Sequence, residues 1–271
     1  MRPLVLGSLG AFFLMAGSAI AQTTPLPPSE FPANLPHRQG LAMEMPVIGE
    51  DAQLQAAIAS PARTEADRAR DSQRHPFETL TFWGLQPGLT VVEIEPGRAG
   101  WWRNILEPYA TATGGTYVPV NRPLESMGVA DGTADMVVVA RAFHNWSADG
   151  RVEPYLRAFF TALKPGGVLA IEQHRSVDGV NVTSVASTGY VPESWVIHMA
   201  KQAGFELDGR SEINANPADT RTHPFGVWSL KPTRRSEGEG RTLTPEERAA
   251  LDSIGESDRM TLRLRKPFAA Q

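Results

Sequence analysis

Four short runs of this chain are apolar almost without a break, and segments of helical period separate them. They are Thr90 to Ile94 (TVVEI), Thr116 to Val120, Asp135 to Ala140 (DMVVVA) and Val168 to Glu172 (VLAIE). A strand that faces water on one side alternates apolar with polar residues. A strand that does not alternate is covered on both faces, and helices between such strands provide the cover, so the pattern predicts a mainly parallel α/β sheet. The intervening helices are expected over Trp101 to Ala112, around Tyr155 to Leu163, and over Pro192 to Ala203, with an extended segment from Phe205 to Ile213. Near the C-terminus, Thr244 to Ile254 reads as a capped helix with Pro245 at its first position. Met260 to Lys266 (MTLRLRK) alternates, as a half-exposed strand added antiparallel at the sheet edge would.

The N-terminus obeys other rules. One positive charge at Arg2, an apolar core from Leu4 to Ala16, and Ala19-Ile20-Ala21 before Gln22 make a signal peptide with an A-x-A cleavage site. The apolar core is shorter than the ~20 residues that span a bilayer, so no stable membrane insertion is expected after cleavage near Ala21. Residues 22 to 46 hold six prolines and little apolar period, which excludes a helix or an interior strand. The organisation expected is a signal peptide at 1–21, a proline-rich leader at 22–50 and one domain at 51–271, in a periplasmic or secreted protein. The domain opens with a helix carrying Leu54, Ala57 and Ile58, which Ser60-Pro61 stops. Thr64 with Asp67 looks like a helix start, with ADRARDSQR continuing as a charged surface helix. A further helix is expected from Pro76 to Gly84.

The absence of cysteine excludes disulfides, a thiolate nucleophile and Cys-ligated zinc. Cleavage would leave 25 basic against 30 acidic side chains, with none of the basic excess that phosphate backbones require, so no nucleic-acid partner is expected. The sequence carries no signal for oligomeric state.

Chemistry concentrates at Val91 to Trp102, VVEIEPGRAGWW. A strand ends in an acid, Glu93, and passes through Pro96, Gly97 and Gly100 into a helix beside Trp101. That is how nucleotide-like ligands are held at a strand's carboxyl end, the glycines allowing close approach and the helix start offering free amides.

Two further segments follow in order. Asp131 to Val137 (DGTADMV) resembles the DGSFD-type turn into the fourth strand of class I S-adenosylmethionine-dependent methyltransferases, and Leu163 to Leu169 (LKPGGVL) resembles the LKPGG turn into their fifth. From about Arg63 to Pro267 the chain is similar to a family of predicted methyltransferases that carry signal peptides. The matching segments include RARDSQRHPFETLTFWGLQPGLTVVEIEPGRAGWW, FHNW, EQHR, GYVPESWVI, SEINANPADT and GESDRMTLRLRKP. The resemblance implies a Rossmann-like class I methyltransferase fold with helices on both faces, and S-adenosylmethionine held by Glu93, Pro96, Gly97, Gly100, Trp101, Asn121 and Arg141. Two features depart from the pattern. Glu95 and Ala99 replace the first and third loop glycines, and residues 116–135 are too few for a full helix and third strand. With no acid ending the second strand, Asn121, and more weakly Glu125, are left to grip the ribose.

His144 and Asn145, and then His174 and Arg175, fall at the ends of the next two strands, which line the ligand crevice in such folds. Methyl transfer needs positioning and removal of a proton from the acceptor, which a histidine can accomplish, so these four are the catalytic candidates. Each histidine alone could equally be a hydrogen-bonded structural group. Asn214, Asn216, Asp219 and Arg221 form one polar cluster, and Arg210, Glu256, Asp258 and Arg259 another, which turn hydrogen bonding accounts for in most proteins. No metal is expected, since no close-spaced ligand pair occurs. The leading expectation is an exported methyltransferase with a small-molecule acceptor. The alternative is an exported, non-catalytic binding protein that kept the fold and lost the cofactor.

Overall fold

The computed structural model describes residues 51–269; the expected signal peptide and the proline-rich leader to residue 50 lie outside the described residues. Helix α1 (Ala52–Ile58) starts where the Asp51 carboxylate accepts the amides of Gln53 and Leu54. Thr64 and Asp67 form a reciprocal capping box for α2 (Glu65–Arg68), followed by α3 (Asp71–Arg74) and α4 (Pro76–Trp83). Gly84 closes α4 at φ +83°, a conformation open to glycine without cost. The single charged surface helix expected after Thr64 is therefore two separate turns, and its face is not all solvated. Arg63 and Arg74 are both about 1% exposed, because acids and an indole ring from elsewhere in the chain receive them.

Then come β1 (Thr90–Ile94), α5 (Arg103–Thr113), β2 (Thr116–Val120), β3 (Ala134–Ala140), α6 (Phe143–Asp149), α7 (Val152–Ala162) and β4 (Leu163–Ser176). They are followed by α8 (Val182–Val185), β5 (Val191–Pro192), α9 (Glu193–Gln202), β6 (Glu206–Ser211), β7 (Pro224–Val227), β8 (Glu237–Gly238), β9 (Arg241–Thr242), α10 (Pro245–Ile254) and β10 (Arg259–Arg265). The main sheet has the order β2-β1-β3-β4-β10-β6, with β5 attached to the end of β4. Strands β2, β1, β3 and β4 are mutually parallel, and β10 is antiparallel to both its neighbours.

The position of β10 corrects the expected edge strand, for β6 is the edge and β10 lies one place in. Its alternation reflects two kinds of burial. Met260, Leu262 and Leu264 join the apolar core, while Arg263 lies over the Phe82 ring at 5.2 Å and pairs with Asp208 at 2.7 Å, its aliphatic stem shielding the other face.

Alternate residues of each parallel strand serve opposite layers. Val92, Ile94, Val137, Val139, Leu169 and Ile171 face α6, α7 and α9 through Phe143, Trp146, Leu156, Phe159 and Val196. Val91, Met136, Val138, Val168 and Ala170 face α1, α4 and α5 through Leu54, Leu80, Trp83, Trp102 and Ile105. The chain leaves β1 to one side for β2 and returns on the other side as β3, so the strand order reverses between β1 and β3. A crevice opens at the carboxyl ends on such a reversal, which fixes where a ligand is held. Residues 121–133, between β2 and β3, form neither helix nor strand.

Candidate functional site

Three strand ends build the site. At the end of β1, Glu93 is 2% exposed and its Oε2 accepts the Tyr117 hydroxyl at 2.7 Å. Burial pushes its carboxyl up to about 7, against the lowering influence of the Tyr117 bond and of Arg103 and Arg141. Glu95 follows at φ +50°, a left-handed conformation suited to the glycine it replaces, and its carboxylate accepts Trp146 Nε1 at 3.2 Å with Arg151 3.9 Å away. Pro96 is half-buried and Gly97 exposed, at φ +70°, with nothing within 4 Å of where a Cβ would stand. The backbone there is open to a ligand. Its positive φ also means that a β-branched replacement would be strained with or without one. Gly100, at φ +56°, is covered by the Arg103 side chain.

Trp101 does not reach the crevice. It is 3% exposed, donates Nε1 to the Asp67 carbonyl at 3.1 Å, and is sandwiched by Arg63 and Arg74 with Trp102 against its edge. Burying so large a ring in the layer under α5 stabilises the fold more than a surface ligand contact could, so its expected role as a cofactor contact is replaced by a core role.

Past the end of β3, Arg141 sits at φ +57° and its amide donates to the Glu172 carbonyl at 2.7 Å, which holds it against the end of β4. Helix α6 then presents His144, whose ring lies 6.1 Å from that of His174 on β4 and 5.9 Å from Trp228. Gln173 Nε2 is 3.5 Å from His144 Nδ1, and His174 Nδ1 lies 2.5 Å from the Ser257 hydroxyl. Burial lowers the pKa of both imidazoles, His174 the more strongly, and the Arg141 charge lowers both further. Burial and the Arg141 charge therefore both favour the neutral form of the two imidazoles. A cavity of about 430 Å³ is lined by Glu95, His144, Asn145, Arg151, Ser187 and Trp228. The two histidines thus meet as expected, but His144 lines the cavity and His174 packs behind it.

Other candidates are placed elsewhere. The Arg175 guanidinium is committed to Asp258, Glu212 and Glu193, which makes it a structural hub rather than a catalytic group. Asn121 is exposed just past β2, and Glu125 pairs with Arg122 at 3.2 Å. Asn214 donates to Thr79 and Thr261. Asn216 donates to the Ile254 and Glu256 carbonyls. Asp219 accepts from Tyr190, His223 and the Asp258 amide, and Arg221 pairs with Asp258. Bonds within the protein account for that whole cluster. Among the described residues no group of three His, Asp or Glu side chains is arranged to hold a metal ion.

Sequence reasoning did not single out Trp228 or Arg151 on the cavity wall, nor a buried charge network behind it. There Glu172, buried at the end of β4, accepts Trp102 Nε1 at 3.0 Å and lies 2.9 Å from Arg259 Nε. Glu256 holds Arg70, Arg74 and Arg259 together, its carboxyl pulled down to about 2 by Arg74 and Arg259 against the opposing effect of burial. Its signs in the sequence are the polar cluster of Glu256 and Arg259, read there as turn hydrogen bonding, and the density of arginine in RARDSQR, which reads equally as a solvated face.

No family model matches this chain, and no curated protein matches it. Solved structures do align with it. A proposed sarcosine dimethylglycine methyltransferase from Galdieria sulphuraria is 14% identical, with TM-score 0.48, covering 74% of this chain and 88% of its own. An S-adenosylmethionine-dependent methyltransferase from Aquifex aeolicus is 16% identical, with TM-score 0.40, covering 60% and 92%. Phosphoethanolamine N-methyltransferase 2 from Haemonchus contortus, in complex with S-adenosyl-L-methionine, is 13% identical, with TM-score 0.40, covering 72% and 53%. At these scores the likeness assigns no activity. The chain's own strand order and strand ends define an α/β protein of Rossmann type with a ligand crevice at its topological switch point. No helix among the described residues is long and apolar enough to cross a membrane.

Proposed function

We propose that this chain is an S-adenosylmethionine-dependent methyltransferase, exported through its N-terminal signal and acting on a small-molecule acceptor. One observation carries the reading. A neutral imidazole, His144, past the end of β3, lines a 430 Å³ cavity that Glu95, from the loop after β1, also lines. The residues present suit the methionine half of the cofactor. The Glu95 carboxylate and the Trp228 ring on the cavity wall offer negative charge and an aromatic face to a sulfonium cation, and the backbone at Gly97 is uncovered. Asn121 would meet the ribose through a neutral amide, a weaker hold than a carboxylate. When bound, the cofactor supplies an electrophilic methyl carbon. The chain's own work is to exclude water, hold the acceptor in line and take its proton on His144, while Gln173 and His174 fix that ring.

A second reading has its own support. Glu95 puts a charged side chain, tied to Trp146, where a glycine leaves room for the cofactor, as suits a binding protein that kept the fold. The two separate on incubating mature protein with methyl-labelled S-adenosylmethionine and a small-molecule extract of the producing cells. The methyltransferase reading expects S-adenosylhomocysteine and labelled low-mass product, falling about 10²- to 10⁴-fold in His144→Ala at nearly unchanged stability. Equal rates in the two proteins would remove His144 from the mechanism. Failure to form S-adenosylhomocysteine would favour the binding protein.

A further inference from the structure

The half-buried Trp228 is a wall of two cavities. One is the cavity at His144, whose ring lies 5.9 Å from the indole. The other, of about 560 Å³, is lined by Trp228, Thr233, Arg235, Ser236 and Glu237. Its arginine is held from several sides. The Arg235 amide donates to the Trp228 carbonyl at 2.8 Å, and its Nε to the Glu237 carbonyl at 3.1 Å. The guanidinium carbon lies 5.1 Å from the centre of the Phe225 ring, which is 7% exposed. A Cβ at Gly238 would collide with the guanidinium, so glycine leaves it room there.

An arginine fixed in this way has lost rotamer freedom, and its neighbours in the same region offset that loss with a carboxylate. Arg234 pairs with Asp252 and Arg241 with Glu247, both at 2.7 Å. Arg235 forms no ion pair with any described residue, and its two Nη groups make no hydrogen bond with one. Glu237, on the same wall, forms no ion pair with Arg235 or with any other described residue. The wall therefore presents a held fork that suits a carboxylate and, two residues on, an acceptor that suits an ammonium. A simple anion would meet Glu237, and a simple cation would meet Arg235. A zwitterion satisfies both.

We propose that the second cavity takes the carboxylate and ammonium of an α-amino acid, at Arg235 and Glu237, and that the amino acid's side chain passes Trp228 toward His144. A long side chain that ends in a phenol, an amine or an imidazole is needed to bring a heteroatom past an indole. That this amino acid is the methyl acceptor rests on the methyltransferase reading; its binding does not. In that reaction the side-chain heteroatom bonds to the methyl carbon as the carbon–sulfur bond breaks, S-adenosylhomocysteine leaves, and the heteroatom's proton passes to His144.

Thermal melts of the mature protein with L-tyrosine, L-histidine and L-lysine, each beside its decarboxylated amine (tyramine, histamine and cadaverine), test this. At saturation at least one amino acid should raise the melting temperature by several degrees, and its amine should not. Arg235→Gln loses that rise. Arg235→Lys, which keeps the charge without the fork, retains part of it, and the exposed control Arg157→Gln retains all of it. Bound amino acid should also change tryptophan fluorescence, and the change should vanish in Trp228→Phe, since Trp83, Trp101, Trp102 and Trp146 are all buried. No rise with any of the three, an amine as effective as its amino acid, or equal rises in wild type and Arg235→Gln would overturn the site. A fluorescence change that persists in Trp228→Phe would overturn the passage to His144. An S-adenosylmethionine shift without any amino-acid response would remove this site and leave the methyltransferase reading, and an amino-acid response without an S-adenosylmethionine shift would do the reverse. Where both bind, the labelled product should be the methylated amino acid, with KM raised about tenfold or more in Arg235→Gln at similar kcat. An unchanged KM would overturn the acceptor assignment.

Discussion

Replacing Glu93 with glutamine should make the protein more stable above pH 7 and leave it nearly unchanged near pH 4.5. The carboxyl is buried, its one good partner is the Tyr117 hydroxyl, and burial raises it from 4.5 to about 7. A group whose folded pKa exceeds its unfolded value binds its proton more tightly in the native state. Its stabilising contribution is complete below 4.5 and is lost as pH rises through 7. At ~1.4 kcal/mol per pH unit, the interval from 4.5 to about 7 corresponds to about 3 kcal/mol. A domain of this size shifts about 2–4 °C per kcal/mol, so wild type should lose roughly 6–12 °C relative to Glu93→Gln between pH 4.5 and 8. Glutamine keeps an oxygen to accept the Tyr117 hydroxyl, so the comparison isolates charge. Calorimetric melts of both proteins across that range provide the assay. Parallel melting curves would refute the claim that Glu93 is buried at an energetic cost, and would place its carboxylate in contact with water.

Glu256→Gln should destabilise the protein by about 3–5 kcal/mol, because it leaves Arg70, Arg74 and Arg259 without their shared anion; denaturant melts would show this, and a loss under 1 kcal/mol would mean that the network is solvated. Protein recovered from the cell envelope or medium should begin at Gln22 by intact mass, and a product that retains Leu4 to Ala16 would contradict export.

The fold was legible in the sequence where local pattern and tertiary demand coincide. β1 and β2 begin and end at Thr90, Ile94, Thr116 and Val120 as read; β1 is buried and announces itself by continuous apolar sequence, whereas β2, the partly exposed edge, shows itself by its β-branched and aromatic run. β10 was recognised as a strand and misplaced, since alternation reports two faces without saying that arginine stems cover one of them. The meeting of His144 with His174 was also legible, because the ends of neighbouring strands in such a sheet lie side by side. What was hidden depends on partners far along the chain. Arg74 looks like a surface charge until Glu256, 182 residues away, takes it inside. Trp101 looks like a ligand contact until Asp67, Arg63 and Arg74 enclose it. Arg175 looks available until Asp258 and Glu212 hold its guanidinium.

Titration of the mature protein with S-adenosylmethionine, followed by calorimetry and by melting, tests the central claim most directly. At about 100 times its dissociation constant, a ligand that binds only the native state adds roughly 2.7 kcal/mol, which is a rise on the order of 5 to 10 °C here. S-adenosylhomocysteine should give a comparable rise, since it keeps the amino-acid and adenosine groups, and adenosine alone a much smaller one, since residues 121–133, where the ribose would be gripped, form neither helix nor strand. Binding of both cofactor forms with that ranking is the result expected of a methyltransferase. No heat and no shift with either at millimolar concentration, in folded protein shown by mass to carry no cofactor, would contradict it.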